Sequence, residues 1–498
     1  MAEPQCKARR GSEWRESNSS HTPTSLKRYL NHDPNPQPGT GRVFILEGLN
    51  PEYIAVLGGH FKMHPSMFVD HERTVVISPF TRQSSDFLTL PGTARTAQHF
   101  TLKYFELIRL PEDALGLRMY CAETGRHIAL TRMKGDLMDV GVVRRKCTIW
   151  NRSARDGGWD YLVLTDPPLR TITTSQNLGY SGVTPIYTPR KTVPISPQPF
   201  QGGYLDFMPH SIQMATRHGP PRTSMLDDLC FYLQTHAAQV THEHSNPSPT
   251  VPNAATIFAK KIIAAHYLQL YNFTRSVTSE VQFHMSRLDR LGMDYFGTAF
   301  IASGQWSDAQ ALERRIGEYS ADLESICSAC GIPLDDKPDV AGCAAAAALS
   351  HMNSPLAPVP PWYDCTADFQ VLRLRFAEVR HRAELLNAAI TGLASISGNQ
   401  KALREAKSTK ALTLMGLVFI PLAYTATLFS MTESFGPGGD KFWVYFVVSV
   451  PLIFCVLGAY TALDRYGDGL GGLRIIRNKK VQGGEGSSKM WGESFGVI

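Results

Sequence analysis

Two uncharged stretches near the C-terminus constrain this chain more than anything else in it. Ala411 to Ser430 (ALTLMGLVFIPLAYTATLFS) and Phe442 to Ala462 (FWVYFVVSVPLIFCVLGAYTA) contain no charged side chain. At 1.5 Å rise per residue, about 20 residues of helix cross the roughly 30 Å of bilayer hydrocarbon. Only MTESFGPGGDK, Met431 to Lys441, separates them, too short for a domain, so the pattern predicts a two-helix transmembrane hairpin over 411–462. Lys401, Arg404, Lys407 and Lys410 precede the first span, and Arg465, Arg474, Arg477, Lys479 and Lys480 follow the second. The loop offers Lys441 alone against Glu433 and Asp440. This Lys/Arg bias predicts both termini in the cytosol and the loop outside.

The residues upstream leave room for one or two soluble domains. A polar tail over 1–40, ending DPNPQPGTG, has the composition of a disordered segment. Over 41–170 short β-rich runs (RVFIL, RTVVIS, TLKYFELIRL, LRMYCA) alternate with turn residues and one helix from Pro51 to about His60, predicting an α/β domain. RKCTIWNR and WDYLVLT read as a hairpin within it. From 171 to 252 prolines and glycines recur, predicting an irregular insertion or linker with a short helix beginning at Met225.

A helical region follows over 253–410. Asn253 is a suitable N-cap for a helix whose apolar stripe runs through Ile263, Tyr267, Leu270, Val277 and Val281. Ser307 with Gln310 reads as a capping box opening a second helix, striped by Leu312, Ile316, Tyr319, Leu323 and Ile326. A third stripe, Leu372, Phe376, Val379, Ala383, Leu386, Ile390 and Leu393, leads into the first span with no proline before Pro421. That predicts one helix of about 60 residues, on the order of 90 Å long, from cytosol into membrane. Its stripe needs neighbouring helices or other subunits, which argues for an oligomeric stalk. Residues 463–498 read as a cytosolic tail, and Gly467 to Gly472 (GDGLGG), following a span instead of a strand, as a flexible linker within it.

Composition narrows the chemistry. Net charge is only +6, with the basic residues gathered beside the spans. Anionic lipid headgroups therefore suit the chain better than nucleic acid. The 9 cysteines lack framework spacing and favour a reducing compartment. Cys327 and Cys330 form an isolated CxxC within a helical pattern and read as structural. His60 and His64, followed by Asp70, His71 and Glu72, read as surface and core residues before a metal site, and His242, Glu243 and His244 as solvated loop residues. No nucleophile–base constellation stands out, so the chain does not read as an enzyme, and no cofactor is called for.

The first span has a face of its own. Thr409, Thr413, Gly416, Ile420, Ala423, Thr427 and Ser430 recur at three and four, while Leu414, Leu417, Val418, Leu422, Leu428 and Phe429 fill most of the remainder. Small and hydroxyl residues along one side suit either a water-filled path or close helix packing.

The long stalk helix, the span ending FIPLAYTATLFSM, the short acidic loop, the second span opening FWVYF and the basic tail resemble the CorA-type metal ion transporters. Phe419-Ile420-Pro421-Leu422 matches that family's phenylalanine–x–proline–leucine core, and the chain looks most like its divergent fungal branch of magnesium or zinc transport proteins. The resemblance is sharp over Gly398 to Ala462 and looser, by element order, upstream. It implies an α/β cytosolic domain plus long stalk helices and a two-helix C-terminal transmembrane hairpin. It further implies a homo-pentamer in the lipid bilayer, the first spans lining a central pore for divalent metal ions, Mg2+ or a transition ion such as Zn2+. The plasma membrane is the first expectation, with the vacuolar or mitochondrial inner membrane as alternatives. On this reading the face from Thr409 to Ser430 lines the pore, and Met431, Thr432 and Glu433 form its mouth. The family ends this span in Gly-Met-Asn; here the residues are Ser430-Met431-Thr432, and only Met431 is kept. That departure favours a second reading, a membrane-anchored scaffold or sensor that keeps the fold without conducting.

Overall fold

The runs VFIL and YLVL explain the centre of the molecule. In the computed structural model they lie in strands β1 (Gly41–Glu47) and β6 (Trp159–Thr165), paired in parallel from Gly41↔Trp159 to Glu47↔Thr165. Continuous apolar runs mark strands covered on both faces. Val43, Ile45, Tyr161 and Val163 face one core, and Phe44, Leu46, Leu162 and Leu164 the other, all of them buried. The structure describes residues 22–32, 41–73, 98–115, 118–130, 139–153, 159–175, 177–181, 184–187, 191–208, 219–236, 254–290, 305–334, 365–430 and 441–481. By contacts the chain divides into two compact units, Met1–Ala394 and Ser395–Ile498.

The first unit is built on a mixed sheet. Its axis is an antiparallel ribbon of β2 (His99–Arg109) and β5 (Val140–Ser153), in unbroken register from His99↔Trp150 to Arg109↔Val140. The other edge of β5 pairs with β6 along its C-terminal half and with β4 (His127–Leu130) along its N-terminal half. Strand β3 (Arg118–Cys121) continues from β4 to β7 (Thr171–Ser175). A separate two-stranded sheet joins β8 (Asn177–Ser181) to β9 (Thr184–Tyr187). Strand β10 (Lys191–Pro194) then closes the main sheet on β7, and β11 (Gln198–Pro199) pairs with β2. Between Thr171 and Pro199 most of the described residues of the proline-rich stretch therefore lie in strands, where irregular chain was expected. Pro194 and Pro199 sit at strand ends of short edge strands, where a missing amide donor costs no ladder bond.

A second correction concerns the polar tail. Pro23–His32 forms helix α1, and Leu26 and Leu30, four residues apart, are buried against Tyr53, Leu57 and Phe61 of α2 (Pro51–Phe61). Two leucines on one face suffice to dock a short helix, although the prolines and serines around them make the stretch look disordered. Helix α2 has Asn50 as its N-cap, accepting from the Glu52 amide at 2.9 Å, and helix α3 (Ser66–Glu72) follows. The run expected as a strand at Arg73 to Ser78 lies outside the described residues after Arg73.

Helices α4 (Met225–Thr235), α5 (Ala254–Arg290) and α6 (Gln305–Ala329) and the start of α7 (Thr366–Phe429) cover the sheet. Their striped residues are the core: Phe105 of the ribbon meets Tyr319 of α6 at 4.6 Å and Tyr267 of α5 at 5.9 Å between ring centroids, and Tyr267 meets Phe376 of α7 at 6.0 Å. From Leu372 to Leu386 the stripe of α7 is thus packed into the core of its own chain. Ser307 lies inside α6 instead of capping it.

The side chains singled out for metal chemistry go separate ways. His64 pairs with Ser66 at 2.8 Å, and Asp70 with His99 at 3.0 Å. His71 is buried: its Nδ1 bonds Thr148 at 2.9 Å and its Nε2 lies 3.3 Å from Asp166. Arg126 donates through Nε and Nη2 to both Asp166 oxygens at 2.8 Å, and the Lys146 amide donates to the same carboxylate at 2.7 Å. Burial pushes the Cys327 thiol up to about 11 and raises Cys330 as well, so neither is a thiolate near neutral pH. Among the described residues no group of three or more His, Cys, Asp or Glu side chains is placed to hold a metal ion. His242, Glu243 and His244 lie outside them.

Candidate functional site: one face of the first span

The second unit holds two helices long and apolar enough to cross a membrane, Ala402–Phe429 at the end of α7 and Phe442–Ala462 at the start of helix α8 (Phe442–Val481). Their apolar side chains are not a soluble core. Leu412 is 72% exposed, Ile420 71% and Phe454 70%, and such a concentration of exposed apolar surface calls for lipid or further copies of the chain. Helix α8 continues past the expected span end, through Gly467 to Gly472, which corrects the reading of that glycine-rich stretch as a flexible linker. Each glycine costs a helix about 1 kcal/mol but leaves its amide in place, and no proline follows Pro451 to remove one.

One face of the first span is committed to the second. Thr425 and Ser449 are both buried, and the Ser449 hydroxyl donates to Thr425 Oγ1 at 2.8 Å. Thr425 passes its own proton back to the Pro421 carbonyl at 3.0 Å. Tyr445 donates to the Leu422 carbonyl at 3.4 Å, and its ring meets Phe429 edge-on at 6.2 Å. Pro421, Leu422, Thr425 and Phe429 therefore form the packed side. Thr425 was not among the residues singled out from the sequence. The available signal was a hydroxyl at mid-span in each helix, Thr425 and Ser449. Replacing Thr425 by valine keeps the shape and removes the bond. We expect a loss of about 0.6 kcal/mol of hairpin stability, up to about 1.7, read as a lower midpoint in detergent-titrated unfolding.

The sequence-derived face lies on the other side. At about 100° per residue, Ala423 and Thr427 stand roughly 200° around the helix from Thr425, and Gly416 about 180°. Thr409, Thr413, Ile420, Ala423, Thr427 and Ser430 are all exposed, with Gly416 half-buried. The helix itself satisfies the threonine hydroxyl protons: Thr409 donates to Glu405 O at 2.9 Å, Thr413 to Thr409 O at 2.9 Å and Thr427 to Ala423 O at 2.7 Å. A hydroxyl whose proton is so engaged turns only oxygen lone pairs outward. The face is thus a ladder of acceptors set among small residues, with Ile420 its one bulky member. Met431, Thr432 and Glu433, the expected mouth, lie outside the described residues.

No protein-family model and no curated protein matches this sequence. Among solved structures, the chain is similar to the CorA magnesium transporter from Methanocaldococcus jannaschii, with a TM-score of 0.35 and 9% sequence identity over 93% of this chain and 98% of that one.

Proposed function

We propose that this chain is a channel or transporter for divalent metal cations, Mg2+ or a transition ion such as Zn2+. In this reading several copies, a homo-pentamer, surround a pore lined by Thr409, Thr413, Gly416, Ile420, Ala423, Thr427 and Ser430, with both termini in the cytosol. The observation that carries the reading is the acceptor ladder on the side of the span that its own hairpin leaves open. A hydrated cation presents water hydrogens outward, so a wall of lone pairs suits it and disfavours an anion. Mg2+ in particular gives up its octahedral waters reluctantly, and a wall that accepts from those waters need not strip them.

Flux into liposomes carrying the purified protein tests this with Mg2+, Zn2+, Co2+ and Ni2+. Saturable entry of at least one is expected. At the proposed mouth, five Thr432 hydroxyls reach less far than five carboxamides and are weaker acceptors. Thr432→Asn should therefore shift competition toward Mg2+ by several-fold, and Thr432→Ala should lower divalent flux with the oligomer intact. The Ser430-Met431-Thr432 sequence favours the second reading, a non-conducting scaffold or sensor. Absence of flux for all four ions above protein-free liposomes would establish it in place of the first.

A further inference from the structure

One phenol stands in the open near the middle of the first span. Tyr424 is 64% exposed, and its hydroxyl meets no hydrogen-bond partner among the described residues. Tyr445 of the second span, by contrast, has the Leu422 carbonyl. Position at the membrane surface does not account for Tyr424. Ser430, the nearer end of the uncharged run, lies six positions on, about 9 Å along the helix. A helical side chain slants toward the helix N-terminus, so the ring leans away from that end and carries its hydroxyl toward the bilayer centre. Hydrocarbon offers it no acceptor there. Around the helix Tyr424 stands about 40° from Ile420, at one border of the acceptor face.

The opposite border of that face is a shallow notch. Gly416 and Ala423 stand one above the other, seven positions apart. Ala423 is exposed, and a methyl group added at Gly416 would meet nothing within 4 Å. Small residues at such a spacing let another helix approach closely. The notch is centred at about the level of Ile420, the level toward which the slanted Tyr424 ring reaches. Tyr424 lies about 80° around the helix from Gly416 and about 100° from Ala423, with Thr409, Thr413, Ile420 and Thr427 between them. Two unlike patches at such an angle form the halves of a head-to-tail contact, which closes into a ring. Neighbours in a ring are seen about 90° apart for four copies and about 108° apart for five. A two-fold pair would need one self-complementary patch instead.

We infer that Tyr424 of each copy seats its ring in the Gly416–Ala423 notch of the next copy and donates its hydroxyl to that copy's acceptor face. The contact rests on the reading of several copies around a pore, but it does not require that they conduct. Oxidative cross-linking of the full chain in membranes provides the test, with Cys455, the one cysteine of the two spans, replaced by serine. Gly416→Cys and Tyr424→Cys in one chain lie about 12 Å apart along their own helix, beyond disulfide reach, so a bridge between them joins two copies. With copper phenanthroline the double variant should give a ladder of covalent multimers, and each single variant should stay monomeric on a denaturing gel. Gly416→Leu fills the notch where the chain itself leaves room, and should speed subunit exchange between labelled copies by tenfold or more. Tyr424→Phe keeps the ring and should speed exchange by about threefold. Absence of the ladder, or an equal ladder from either single variant, would overturn the contact. Mass measured in detergent would then show separately whether several copies assemble. A ladder from protein without flux would support the contact and count against conduction alone. Exchange in Tyr424→Phe equal to wild type would overturn the hydroxyl bond.

Discussion

Asp166→Ala is expected to destabilise the soluble unit by about 3–5 kcal/mol, the usual consequence of removing one partner from a buried ion pair. Asp166 joins four pieces of chain: Arg126 ahead of β4, His71 on α3, the Lys146 amide on β5 and its own position after β6. Its removal leaves the Arg126 guanidinium buried, with the His71 and Arg73 carbonyls as its other hydrogen-bond partners among the described residues. The first thermal transition of the full-length protein, followed by circular dichroism, should fall by about 10 °C. The pH dependence has a definite sign. Burial alone would raise the Asp166 carboxyl, but the Arg126 guanidinium and His71 pull it well below the ordinary carboxylate range. A carboxyl whose folded pKa lies below its unfolded value adds stability above the unfolded pKa, and loses it as pH falls toward the folded one. The gap between wild type and Asp166→Ala should therefore be full above about pH 5 and narrow below about pH 4. A gap unchanged down to pH 2 would contradict the ionised pairing.

Ile420→Ser should raise basal ion leak through the reconstituted protein by about tenfold, equivalent to a barrier lower by about 1.4 kcal/mol. Ile420 is the single bulky aliphatic on the acceptor face, 71% exposed, one helical turn from Gly416 and less than one from Ala423. If several copies bring that face to a common axis, a ring of Ile420 side chains is a hydrophobic constriction that gates by losing water. Serine in its place keeps the passage wet. Leu417 is the control. It stands about 80° from Thr425 around the helix, toward the packed side, and Leu417→Ser should leave the leak unchanged. A leak in Leu417→Ser without one in Ile420→Ser would mean that a different face of the span lines the pore.

Local periodicity carried much of this molecule in plain sight. The two spans follow from uncharged runs of sufficient length, and the stripes of α5, α6 and α7 from apolar residues at three and four. Both signals arise within a few turns of one helix and need no knowledge of what lies across from it. Tertiary structure decided what each face meets. The α7 stripe is filled by Tyr267 and Tyr319 of the same chain, where periodicity alone allowed either its own helices or another subunit. Leu26 and Leu30 gain their meaning from α2, and Thr171–Ser175 from β3 and β10, because two apolar residues or a short strand specify nothing until a partner covers them. Polar contacts were the least legible of all. Asp166 and Arg126 lie 40 positions apart, and Ser449 and Thr425 lie 24 apart. An ion pair or a single hydroxyl bond has no sequence period, so only the folded backbone brings its two halves to hydrogen-bonding distance.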